Sequence, residues 1–123
     1  MVNPATGEEI ARVPDASKAD LDAAIAAARA AFPAWAATPI ADRKAKALEL
    51  AGAIFGQVEE LKRILTAEQG MSHIDAEFEI GGAAEWLQGV SALDLPEAVN
   101  ENSDKRISIT RHVPLGVVGA IAP

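Results

Sequence analysis

Six carboxylates stand in close pairs along this chain: Glu8 with Glu9, Glu59 with Glu60, and Glu77 with Glu79. Two carboxyl groups that converge in a cleft with separated pKa values can run general acid–base chemistry. These pairs fall on an expected turn and on expected helix faces, where charge ordinarily serves solvation. The two histidines, His73 and His112, lie too far apart in sequence for a local metal-binding spacing. Histidine as a residue type can serve as a general base, which raises that question for His112. Its neighbour is Arg111, however, and no acidic residue close in sequence orients it, so a surface or interface histidine is expected. His73, soon after Gly70, reads as a loop or first-turn residue. There is no cysteine, which removes disulfides, thiolate metal sites and a thiolate nucleophile together. The residues by themselves assign no catalytic side chain and no metal ligand.

Two further features invite a binding role. The run GVVGA at 116–120 suggests a dinucleotide-binding turn, but it lacks the G-x-G-x-x-G spacing and no helix follows it. Tight strand packing is the plainer reading. Trp86 sits on a helical stripe and is expected in a core rather than on a ligand platform.

These side chains need elements to hold them. The 123 residues suit one ordinary domain. Half of them are apolar, yet 27 are alanine and only five are aromatic. Alanine favours helix and contributes little burial. A thin helical layer that leans on other structure is therefore expected. The net charge of −7 argues against nucleic acid and anionic membrane surfaces as partners. No apolar run reaches the roughly 18 residues of a membrane span, and the N-terminus lacks a signal-peptide pattern, so the default location is cytoplasmic.

Pro4 and Gly7 punctuate an opening segment that reads as a short strand pair. Ser17 and Asp20 stand at capping-box spacing before a stripe of Leu21, Ile25, Ala28 and Phe32, and Pro33 is expected to end that helix. Thr38 and Pro39 suit the cap and first position of a second helix carrying Leu48, Ala51, Phe55 and Val58. A third helix is expected from about Glu59 to Glu68, with Gly70 as its stop. A fourth opens at Ser72 with Asp75 three residues on, and places Ile74, Phe78, Trp86 and Leu93 near one face. Gly81 and Gly82 inside it mark either a close approach by another element or a break. Residues 96–106 read as a polar connecting loop. RISITRHV then alternates as a half-exposed strand, and VVGAIAP reads as a strand buried on both faces, as in a parallel sheet. That last strand has no parallel partner within the chain.

Four stretches in register resemble the N-terminal region of the aldehyde dehydrogenase superfamily. They are NPATGEEIARVP at 3–14, DLDAAIAAARAAFPAWAATPIADR at 20–43, LTAEQGMS at 65–72 and RHVPLGVVGAIAP at 111–123. In the third, Met71 stands where the family commonly has lysine. The resemblance implies an α/β fold: the N-terminal part of a Rossmann-like dinucleotide-binding domain with about four helices, a short N-terminal strand pair and an oligomerisation strand, incomplete by itself. Residues 1–105 would form the strand pair and the helical part, 106–115 the oligomerisation-type strand, and 116–123 the first buried strand of the cofactor sheet.

The resemblance also implies a function. Members oxidise aldehydes to carboxylic acids with NAD or NADP, using a cysteine nucleophile and a glutamate base that no residue here matches. The 123-residue chain is therefore expected to be inactive alone. Ile121, Ala122 and Pro123 match the strand end that lines the cofactor site, just before the family's Trp-Asn pair. The expected partners are a small-molecule aldehyde, the remainder of the enzyme chain, and further copies in a homodimer or homotetramer. The fourth helix would lie near the substrate tunnel. Two other readings stay open: a free-standing helical interaction module whose C-terminal strand adds to a partner's sheet, and a relative that forms acyl-CoA or reduces acyl phosphates on the same fold.

Overall fold

The computed structural model describes residues 1–121 as four helices and a two-stranded antiparallel sheet. The helices are α1 (Lys18–Ala37), α2 (Ile40–Gly56), α3 (Val58–Gln69) and α4 (His73–Ala92); the strands are β1 (Ala98–Asn102) and β2 (Ile107–Thr110). The chain divides into two compact units. One comprises residues 1–15 and 39–92, the other residues 16–38 together with those from Leu93 onward.

In the first unit the opening residues form a turn held by the Asn3 side chain, which accepts from the N–H of Ala5 and of Thr6. Gly7 supplies the positive φ, 75°, that reverses the chain. The expected strand pair reduces to a single antiparallel bridge, Val2 to Glu9, because Pro4 and the turn leave too few residues to extend a ladder. Helix α2 begins one residue after Pro39, which occupies the cap position and offers no side-chain bond to it. Gly70 stops α3 as expected, in the left-handed conformation, its N–H donating to the Thr66 carbonyl. Ser72 opens α4 by accepting from the Asp75 N–H at 3.2 Å while its hydroxyl donates to the Asp75 carboxylate.

Helix α4 packs along both α2 and α3. The side chains that lose all exposure are alanines: Ala51 on α2, and Ala76 and Ala84 on α4. Small residues let the helix backbones approach closely but bury little area. Among the described residues no large side chain is fully buried. Gly81 and Gly82 lie within an unbroken helix.

The orientation of α4 departs from the sequence expectation. Trp86, expected in a core, faces outward, as do Ile74 and Phe78 of the same expected stripe, with Phe78 and Trp86 about three-quarters exposed at 76% and 75%. The helix is apolar on two sides, and the alanine side is the one that docks.

In the second unit Ser17 and Asp20 form the expected capping box on α1. Helix α1 does not end at Pro33 but runs on to Ala37. Proline removes one helical bond and crowds the preceding turn, and the alanine-rich segment on either side keeps the helical conformation. Thr38 is not the cap of α2. It terminates α1, with its hydroxyl donating to the Ala34 carbonyl at 3.0 Å.

Residues 98–102, expected in a loop, form β1 and pair antiparallel with β2 from Ala98 opposite Thr110 to Asn102 opposite Ile107. A register shift falls between Val99 and Glu101, and Asn100 uses its amide to donate to Thr110 Oγ1. Asn and Glu are poor strand formers, so pairing with β2 rather than propensity makes β1. Glu97 and Glu101 pair with Arg111 and Arg106.

The apolar run beyond Pro114 carries no strand among the described residues, in contrast to the buried strand expected there. Leu115, Val118 and Ile121 are exposed, and Gly116 turns with φ 103°. A strand requires a ladder partner for its N–H and C=O groups, and none of the described residues supplies one.

Candidate functional site

The paired carboxylates do not converge. Glu9 is bound by Arg12, Glu60 by Arg63, and Glu59 shares Lys62 with Glu77. Every resolved carboxyl shift is downward. Hydrogen bonds from Arg63 hold Glu60 below the ordinary range, those from Arg106 and Ser103 do so for Glu101, and those from Ser17 for Asp20. Catalytic acids and bases are tuned toward neutrality instead. These are solvated ion pairs.

Among the described residues neither histidine has an acidic partner. His73 occupies the first turn of α4, with its Nδ1 3.4 Å from Thr66 Oγ1, and His112 is exposed. No group of three or more potential metal ligands occurs among the described residues. No helix there is long and apolar enough to cross a membrane.

Each unit has its own hollow. In the second unit, Leu21, Ile25 and Phe32 of α1 face Val117 and Val118 across a cleft of about 460 Å³ that also includes Arg29. The stripe read from the sequence thus lies against the C-terminal apolar run. In the first unit a hollow of about 560 Å³ lies between Phe55 and Val58 on one side and α4 on the other, where Gly81 and Gly82 leave room. The sequence marks those glycines as unusual without placing the hollow. The available signal is the spacing of four residues that sets Phe78 beside Gly82 and Glu77 beside Gly81.

The sequence pattern that describes the aldehyde dehydrogenase family matches residues 1–123. The chain belongs to that family. It is 42% identical, over its whole length, to a probable aldehyde dehydrogenase of Pseudomonas sp, of which it covers 25%. It is 36% identical over 98% of its length to the human mitochondrial methylmalonate-semialdehyde/malonate-semialdehyde dehydrogenase (acylating), covering 23% of that protein. Among solved structures it resembles an NAD-dependent benzaldehyde dehydrogenase from Corynebacterium glutamicum, with a TM-score of 0.77 and 31% identity over 83% of this chain and 22% of the other. The chain spans about a quarter of the length of the curated relatives it matches.

Of the three residues expected to line a cofactor in this aldehyde dehydrogenase family segment, Ile121 is fully exposed and outside any strand. Ala122 and Pro123 lie outside the described residues. A dinucleotide needs backbone N–H groups at a helix N-terminus for its pyrophosphate and an acidic partner for its ribose. The cleft beside α1 offers one guanidinium and otherwise apolar side chains. The described residues by themselves do not fit the cofactor.

Proposed function

We propose that this chain is part of an oxidoreductase that oxidises an aldehyde to a carboxylic acid with NAD or NADP, and that it forms the N-terminal part of a Rossmann-like cofactor domain. The observation that carries this reading is the family match over all of residues 1–123, supported by the likeness to the benzaldehyde dehydrogenase at 31% identity. Within the proposal, Ile121, Ala122 and Pro123 contribute apolar lining to the cofactor site. Residues 116–123 take up a strand once other strands flank them, which would cover the exposed Leu115 and Val118. The segment 106–115 takes part in pairing of subunits into a homodimer or homotetramer, and the protein works in the cytoplasm.

The reaction needs a reactive thiolate and a general base. These 123 residues contain no cysteine, so within this reading the thiolate comes from elsewhere in the protein, and the glutamate base, which no residue here matches by resemblance, does too. The test is to incubate the 123-residue polypeptide, and separately the intact protein, with an aldehyde and NAD or NADP while following absorbance of the reduced cofactor. Turnover by the intact protein alone is expected. Turnover that scales with the amount of the short polypeptide would refute the assignment of roles, and an inactive intact protein would refute the oxidation.

A second reading within the same fold is transfer of the oxidised product to coenzyme A. It is favoured by the acylating activity in the name of the human relative. Adding coenzyme A to the same assay distinguishes the two by whether a thioester or a free acid accumulates.

A further inference from the structure

We draw no further inference here: the strongest candidate, the apolar face of α4 that carries Ile74, Phe78 and Trp86, is largely exposed, and nothing in the structure shows what covers it.

Discussion

Gly70 ends α3 with φ +72°, and a β-carbon added to it would stand 2.9 Å from Pro4 Cγ. The same residue therefore supplies the left-handed turn and the room for the opening segment to pass. Gly70→Ala should destabilise the protein by about 1–2 kcal/mol from the backbone conformation alone, with a further loss from displacement of Pro4. The urea unfolding midpoint measures it. Adding Pro4→Ala to that variant should recover the steric part and leave the backbone part. If the double variant is no more stable than Gly70→Ala, the contact with Pro4 has no energetic weight.

Gly81 gives the opposite expectation. It is helical and has open space where a β-carbon would go. Gly81→Ala should stabilise α4 by up to about 1 kcal/mol, visible as a higher thermal midpoint. A lower midpoint would mean that another part of the protein approaches that face in solution.

The Asp20 carboxylate accepts from both the hydroxyl and the N–H of Ser17, at 2.7 and 2.8 Å, which holds its pKa below the ordinary value. A depressed folded value contributes stability that is fully present above the unfolded pKa, about 3.9, and is lost as pH falls through the folded value. Glu60 and Glu101 act in the same direction. Asp20→Asn should therefore flatten the fall of the thermal midpoint below about pH 4 and leave the profile above neutrality unchanged. Parallel acid limbs in the two proteins would show that the cap does not couple to folding.

Lys62 reaches Glu59 on its own helix at 2.9 Å and Glu77 on α4 at 3.1 Å, with 14% of its side chain exposed. Hydrogen bonds to Glu59 and then Glu77 raise its pKa. A raised folded value contributes stability that is fully present below the ordinary lysine pKa, about 10.4, and is lost as pH rises through the folded value. Lys62→Met keeps a covered apolar stem without the charge, so it should cost less than Lys62→Ala and remove this part of the alkaline loss above about pH 10. Equal losses in the two variants at neutral pH would show that the covered stem contributes nothing.

Local chemistry is legible in the residues themselves. Ser17 with Asp20 and Ser72 with Asp75 announce two helix starts, Gly70 announces a stop, and the alternation of Ile107 to Thr110 announces β2. Each of these signals works between residues a turn or less apart, or by the two-residue repeat of a strand. The absence of a cysteine likewise settles that no thiolate nucleophile stands in these 123 residues.

What the tertiary structure decided depended on partners distant in sequence. Helix α4 is apolar on two sides, and only its packing against α2 and α3 selected the alanine face and left Phe78 and Trp86 outside. β1 exists because β2 lies beside it, against the propensity of Asn100 and Glu101. The apolar run at 116–121 reads as a strand from its composition, yet it forms none among the described residues, because a strand is stabilised by neighbours rather than by its own sequence. A helix closes its hydrogen bonds within itself, so its ends are written locally; a sheet and a packed face close theirs across space.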